Sequence, residues 1–261
     1  MTGLDGRIAA VTGAGQGIGR AVAERLASEG ASVLVTDLLL DRAIATAKHI
    51  QARGNTAQPV KVDVCSSDDL AHMLSLSQSS FGTFPDTVVC NAGYQTFGNI
   101  MELGYEEWDK VMAVNVMGTF ETMRTTARAM RSTGIQGSII AIASIQARLG
   151  SVYYAHYSAS KAAVLSITKS MALAMAPAHI RVNAVAPGMV DTDLWATADR
   201  NLALLRGVKP GVPKAERIAQ IPLGRAGTPE DVAGVVAFLA SDDASYLTGE
   251  CIHICGGDLM L

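Results

Sequence analysis

Short apolar runs alternate along this chain with longer stretches in which apolar residues return every three or four positions. The runs fall at residues 7–11, 31–36, 57–62, 86–90, 138–143, 180–185 and 251–254. Runs this short, rich in Val, Ile and Ala, predict strands covered on both faces. Helical spacing marks residues 20–28, a stretch from Asp41 to about residue 53, residues 68–80, residues 105–130, the segment around Tyr157, and residues 229–240. Regular alternation of the two patterns predicts an α/β fold: a doubly wound parallel sheet of about seven strands with helices on both faces.

In such a sheet, ligands bind beyond the carboxyl ends of the strands. The residues that fall there are Gly13, Asp37, Asn91, Ser144 and Gly188. Thr12 to Gly19 holds glycines at 13, 15, 17 and 19, between the first strand and the first helix. Glycines let backbone approach a pyrophosphate, and free N–H groups at a helix start receive its charge. Gly13, Gln16, Gly17, Ile18 and Gly19 are therefore candidate cofactor contacts. Asp37 stands 18 residues past Gly19, close to the distance at which an acid holds a cofactor ribose. Asp41 is expected to cap the following helix, leaving Asp37 free for that task. Asp63 and Val64 end the third strand, where an adenine edge would fall; Asp63 also reads as an ordinary turn residue. Asn91-Ala92-Gly93 closes the fourth strand. Asn115 lies among apolar neighbours in a predicted helix, and a buried Asn must find partners. Stitching that helix to a loop would satisfy it as well as a catalytic task.

Tyr157 and Lys161 are four apart, on one face of a helix. An ammonium about 5 Å from a phenol, at an effective dielectric of ~20, favours the phenolate by roughly 3 kcal/mol. That is roughly 2 pKa units, which would bring a tyrosine towards working pH as a proton carrier. A solvated surface pair has the same spacing, so the motif acquires meaning only with a ligand site beside it.

Composition narrows the field. The chain has 261 residues, 49% hydrophobic and 17% charged, with a net charge of −3. No linker or repeat divides it, so residues 1–261 read as one domain. The weak negative charge offers no footprint for nucleic acid. No apolar run is long enough to span a membrane, and residues 1–6 lack a signal-peptide pattern, so a cytoplasmic location is expected. Cys65, Cys90, Cys251 and Cys255 are scattered and read as reduced, buried thiols; no second pair completes a zinc site, and no metal is expected.

Taken together, Thr12-Gly13-x-x-x-Gly17-x-Gly19, Asp63, Asn91-Ala92-Gly93, Asn115, Ser144, Tyr157-x-x-x-Lys161, Pro187-Gly188 and Thr192 resemble the short-chain dehydrogenase/reductase family over essentially the whole chain. The resemblance implies a Rossmann-like fold, a nicotinamide dinucleotide and hydride transfer at a carbonyl or alcohol carbon. It implies that Tyr157 exchanges the proton and that Lys161 lowers the tyrosine pKa and reaches the nicotinamide ribose. Ser144 would hold the substrate oxygen, and Asn115 a water linking Lys161 to solvent. It adds Pro187, Gly188, Val190 and Thr192 to the cofactor contacts. Cys90 stands where the family often has a second Asn, and Cys251-Ile252-His253-Ile254-Cys255 is unusual; neither is expected to touch the chemistry.

Asp37, with no basic residue after it until Arg42, points to NAD rather than NADP. Residues 189–221 read as a substrate lid of short helices. The lid and the pattern from Pro187 to Trp195 look similar to enzymes of polyols, sugars and small hydroxyketones, so a small polar secondary alcohol or its ketone is the expected substrate. An acetoin-type or 3-oxoacyl-(carrier protein) reductase is the alternative within the class. A non-catalytic dinucleotide-binding regulator is the alternative outside it. Gln146, Tyr94, Gln95, Tyr154, His156 and Trp195 join Ser144 and Tyr157 as candidate substrate contacts. Apolar residues on several faces of the helices carrying Asn115 and Tyr157, among them Val116, Met117, Phe120, Ala162, Val164 and Ile167, predict buried helices. The resemblance implies that these pack between subunits, and a homotetramer is expected.

Overall fold

A computed structural model describes residues 3–260; Met1, Thr2 and Leu261, the ends of the expected single domain, lie outside the described residues. The strands are β1 (Ile8–Val11), β2 (Ser32–Asp37), β3 (Ala57–Lys61), β4 (Thr87–Cys90), β5 (Gly137–Ile142), β6 (Ile180–Pro187) and β7 (Cys251–Ile254). They form one parallel sheet in the order β3-β2-β1-β4-β5-β6-β7. After β3 the chain crosses back to place β4 beside β1, so the sheet is wound in both directions from that junction.

The helices are α1 (Gly17–Ser28), α2 (Leu40–Gln51), α3 (Ser67–Phe81), α4 (Tyr105–Met112), α5 (Thr119–Thr133), α6 (Ala155–Met175), α7 (Asp193–Arg206), α8 (Val212–Ala219) and α9 (Pro229–Ala240). Alternate residues of each strand feed opposite faces. Ala9, Val11, Val33, Val35 and Val89 pack with Val22 and Leu26 of α1, Ile50 of α2 and Val236 of α9. Leu34 packs with Met73 of α3. Val88, Ile139 and Val182 pack with Met123 of α5 and Val164 of α6. No helix among the described residues is long and apolar enough to cross a membrane.

Local details depart from the sequence pattern. The first helix begins at Gly17, three residues before the apolar spacing does, because the glycines turn directly into it. Asp41 does not cap α2: the helix starts at Leu40 after Leu39, and Asp41 sits inside its first turn. The stretch 105–130 is not one α-helix. A π-helical segment, Ala113–Gly118, joins α4 to α5 and contains Asn115. Gly118 permits this, since a Cβ there would meet Val64 Cγ2 at 2.5 Å. β6 runs two residues further, through Pro187. Of the four thiols only Cys90 is buried; Cys65 is exposed, and Cys251 and Cys255 are partly exposed on the sheet's edge.

A buried side chain of β6 helps to anchor the chain leading into that edge strand. Asn183, wholly buried on β6, accepts from the Glu250 N–H at 3.0 Å and donates to the Leu247 carbonyl at 2.8 Å. Asn183→Ala leaves both part-buried groups without that partner, and each lost hydrogen bond costs about 0.5–1.5 kcal/mol. Unfolding stability should fall by about 1–3 kcal/mol, read as a lower urea midpoint with an unchanged denaturant slope.

Candidate active site

The site begins at the junction where β1 and β4 run side by side. Thr12 Oγ accepts from the N–H groups of Asn91 and Ala92, both at 3.0 Å. The Asn91 amide donates back to the carbonyls of Thr12 at 2.9 Å and Gly13 at 3.0 Å. Gly13 and Gly17 take positive φ of 63° and 53°, which favours glycine. Gly19 has no room for a side chain: a Cβ would run into the Gly13 carbonyl oxygen and the Asn91 amide. Asp37 closes the other side, accepting from Gly15 N–H at 2.9 Å and Leu39 N–H at 3.0 Å.

The start of α1 has no side-chain cap and no acid in its first turn. Its free N–H groups and positive dipole end therefore face the cavity beside the glycine loop, which suits a pyrophosphate. A side chain at position 15 is blocked, because a Cβ would meet Arg42 Cβ at 2.5 Å and Asp37 Oδ2 at 2.7 Å. The residues present thus fit a dinucleotide. Asp63 does duty as a turn residue too, accepting from Cys65 N–H at 2.9 Å while it lines the same cavity as Val64.

One cavity of about 540 Å³ connects this loop with the far end of the sheet. Gly13, Gln16, Gly17, Ile18, Gly19, Asp37, Asp63, Val64, Asn91, Ala92 and Gly93 line it, as do Pro187, Gly188, Val190 and Thr192. Ser144, Tyr157 and Lys161 line it as well, with Tyr94, Gln95, Gln146, Tyr154 and Trp195. Ser144, at the end of β5, accepts from Gln146 N–H at 3.2 Å. Lys161 donates to the Ile142 carbonyl at 2.8 Å, and its ammonium lies 5.6 Å from the centre of the Tyr157 ring.

Burial governs the ionisation of this pair. It pushes the Tyr157 phenol up to about 12, a rise that the Ser144 hydroxyl opposes and Tyr154 reinforces. Burial also pulls the Lys161 ammonium down to about 8. The expected lowering of the tyrosine by its lysine is therefore not what the free protein shows. Desolvation of the phenolate dominates, and the ammonium, itself desolvated, is turned towards the Ile142 carbonyl.

Two candidates lie outside the cavity wall. Asn115 is wholly buried; it accepts from Tyr94 N–H at 2.7 Å and donates to the Tyr94 carbonyl and to Ser160 Oγ, both at 2.9 Å. It stitches the π-helical segment to the loop after β4, and its two amide hydrogens are used there. His156 is also wholly buried and does not line the cavity. It faces away from the site that Tyr157, its neighbour on α6, faces, so it is not a substrate contact. Cys255, just after strand β7, packs behind Gly188, where a Cβ would lie 2.9 Å from Cys255 Cβ, and no residue from Cys251 to Cys255 lines the cavity. Cys90 is inert in the core, its thiol pushed up to about 12 by burial.

The cavity also takes in residues that sequence reasoning passed over. Leu194, Ala198 and Leu202 line it from α7; their spacing of four was a legible signal. Arg217 reaches it from α8, paired with Asp258 of the C-terminal segment, a contact between distant residues that no local pattern carries. Arg42 lines it beside Asp37, and Arg20 instead pairs with Glu24 at 2.6 Å.

Sheet order, glycine loop and the Ser144–Tyr157–Lys161 group define a dinucleotide-binding oxidoreductase of Rossmann type. Comparison with known proteins agrees. A family model described as enoyl-(acyl carrier protein) reductase matches residues 13–258. The chain is 35% identical to galactitol 2-dehydrogenase of Agrobacterium fabrum, over 98% of this chain and 99% of that one. It is 38% identical to (3R)-3-hydroxyacyl-CoA dehydrogenase of Homo sapiens, over 98% and 97%. A crystal structure of a short-chain type dehydrogenase/reductase from Mycobacterium marinum superimposes with a TM-score of 0.90 at 36% identity, covering 100% of this chain and 98% of that one. The chain belongs to the short-chain dehydrogenase/reductase family, an enzyme family that uses nicotinamide dinucleotides.

The displaced ionisations make stability depend on pH. Between about 8 and the ordinary lysine value of about 10.4, the unfolded chain holds a proton on Lys161 that the folded protein does not. The unfolded state then binds more protons, so this group adds stability as pH rises through that window. Tyr157 acts in reverse from about 10 to 12, where the folded state keeps the proton. Melting curves at pH 7 to 9.5 should show wild type gaining on Lys161→Met as pH rises. A constant difference would count against a buried, depressed Lys161.

Proposed function

We propose that this enzyme interconverts a small polar secondary alcohol and its ketone, using NAD, with Tyr157 as general acid and base. The observation that carries this reading is the meeting of Ser144, Tyr157 and Lys161 in the cavity that also holds the glycine loop and Asp37. When bound, the nicotinamide ring takes or gives the hydride. Ser144 Oγ holds the substrate oxygen, and Tyr157 Oη passes it a proton or removes one. Lys161 favours the phenolate once its ammonium is drawn from the Ile142 carbonyl towards the cofactor ribose. Asn115 holds the segment against which that exchange occurs and, in this reading, supports a water beside Lys161. Gln95, Gln146, Tyr154 and Trp195 supply polar groups for hydroxyls flanking the carbonyl. Galactitol 2-dehydrogenase and (3R)-3-hydroxyacyl-CoA dehydrogenase are relatives of similar identity, so the preference for a polyol or hydroxyketone rests on the polar lining of the cavity.

The lid of this reading is the pair α7 and α8. Asp199 of α7 accepts from Gly211 N–H and Lys214 N–H at the start of α8, at 2.5 Å and 2.9 Å, so the two helices are tied to each other. A bridge between Val190 and Gly227 closes the base of the segment. Four free thiols support a reducing compartment, the cytoplasm.

Purified protein with NAD, screened against polyols, sugars and vicinal diols, should raise NADH absorbance with at least one of them. Tyr157→Phe should lower turnover of that substrate by at least ~10²-fold while leaving NAD affinity nearly intact. Near-normal turnover in this variant would remove Tyr157 from the mechanism.

The choice of NAD over NADP rests on Asp37, whose carboxylate would meet a 2′-phosphate at close range. Position 15 has no room for the basic side chain that could answer it. Lost ribose bonds and repulsion together should exceed ~2.8 kcal/mol, about 100-fold in kcat/KM. Arg42 offsets part of the repulsion, so Arg42→Ala should widen the ratio, and Asp37→Ser with Leu38→Arg should narrow or reverse it. Equal kcat/KM with both cofactors in the unmodified enzyme would remove Asp37 from the ribose.

For assembly the reading is a homotetramer. Met117 of the π-helical segment and Leu173 of α6 are 53% and 81% exposed, and Ala162, also on α6, is exposed. Phe120 and Ile167 are half-buried, whereas Val164 is buried against the sheet and offers nothing to a partner. Light scattering at micromolar concentration should give four times the chain mass of 27.2 kDa; a stable monomer would refute it.

A further inference from the structure

We propose that His156 is a positioning residue for substrate: through Thr96 it fastens the irregular segment 94–100, one wall of the cavity, to the helix that carries Tyr157. The segment has almost no regular secondary structure, yet it supplies Tyr94, Gln95 and Phe97 to the cavity. Its shape depends on outside contacts. Asn115 holds Tyr94 at both its N–H and its carbonyl. Gly98 N–H donates to the Tyr153 carbonyl at 2.8 Å, and Ile100 N–H to the Val152 carbonyl at 2.9 Å. The Phe97 ring meets Tyr154 edge to face, 5.8 Å between centres. Between these points stands Thr96, whose Oγ lies 2.7 Å from His156 Nε2.

Packing alone does not account for a histidine here. The ring is wholly buried and lies beside Trp108, 6.4 Å between centres. Its Nδ1 is buried without a partner, which opposes folding. Leu or Phe would fill the space without that penalty, so the bond to Thr96 is the distinguishing gain. The tautomer follows. A buried N–H without an acceptor is rarer than an unmet lone pair, so Nδ1 is bare and Nε2–H donates to Thr96 Oγ. Successive helix residues point about 100° apart, from 3.6 residues per turn. One turn of α6 therefore presents Tyr157 to the cavity and His156 to the back of its wall. The proton carrier and the groups that orient the substrate share one mechanical reference.

The inference rests on the proposed alcohol chemistry only for its kinetic arm; hydrogen exchange needs no substrate. In both Thr96→Val and His156→Phe, exchange at the Gly98 and Ile100 amides should rise about fivefold, with β-sheet amides unchanged. For whichever alcohol wild type oxidises, KM should rise about fivefold with kcat within about twofold and NAD affinity unchanged. His156→Gln, which places an amide nitrogen near the position of Nε2, should restore both. The double variant should match the single ones, because both remove one contact. Unchanged exchange and KM in Thr96→Val would overturn the proposal, and so would additive effects in the double variant. If no alcohol is oxidised, faster exchange still supports it while the proposed substrate class fails.

Discussion

Everything in this molecule hangs on the seam between β1 and β4, where Thr12 and Asn91 exchange hydrogen bonds across two strands far apart in sequence. The seam is the place where the sheet reverses its winding, so the loops after the two strands diverge and leave a crevice. Asn91 uses both amide hydrogens to hold the carbonyls of Thr12 and Gly13. That occupies the carbonyls of Thr12 and Gly13, while the uncapped N–H groups at the start of α1 face the crevice. Gly19 follows from the same packing, since only a residue without Cβ lets α1 approach the loop that closely. Asp37 completes the frame from β2 by holding Gly15. The anion-binding character of the site is thus a consequence of how backbone carbonyls are disposed of, with no cation in the loop itself.

At the other end of the cavity, burial decides. A phenol and an ammonium stand one helical turn apart, as their spacing suggests, but both are taken out of water, which costs each its charged form. In the free protein desolvation prevails, and the lysine rests on the Ile142 carbonyl. In the proposed reaction the protonated tyrosine beside the serine hydroxyl serves as the acid, and its use as a base would require the lysine to turn towards a bound cofactor.

The walls of the substrate end are built differently from its floor. The floor consists of strand ends and short turns fastened by the sheet. One wall is an irregular segment pinned by side chains of α6 and the π-helical turn; the other is a helical pair tied internally by Asp199 and to the C-terminal segment by Arg217 and Asp258. In this chain the walls are fastened separately from the seam, and one fold can host different chemistries on such separately held parts.

Seven strands, their parallel sense and the glycine loop were legible in the sequence, because apolar period and glycine placement act locally. So were Ser144, Tyr157 and Lys161, through spacing on one helix and one strand end. Helix starts were less legible: Asp41 looked like a cap, but the chain turned into the helix earlier, at Leu40. The π-helical turn at Asn115 was hidden; its last residue, Gly118, sits against Val64, a contact between separate elements that no local pattern carries. His156 read as a substrate contact because it adjoins Tyr157 in sequence, while the helix turns the two in different directions. Arg217 and Arg42 entered the site only through packing of segments distant in the chain. Local period and backbone freedom are properties of a few consecutive residues; which way a side chain faces, and how strongly burial shifts its charge, depend on neighbours that only the folded chain assembles.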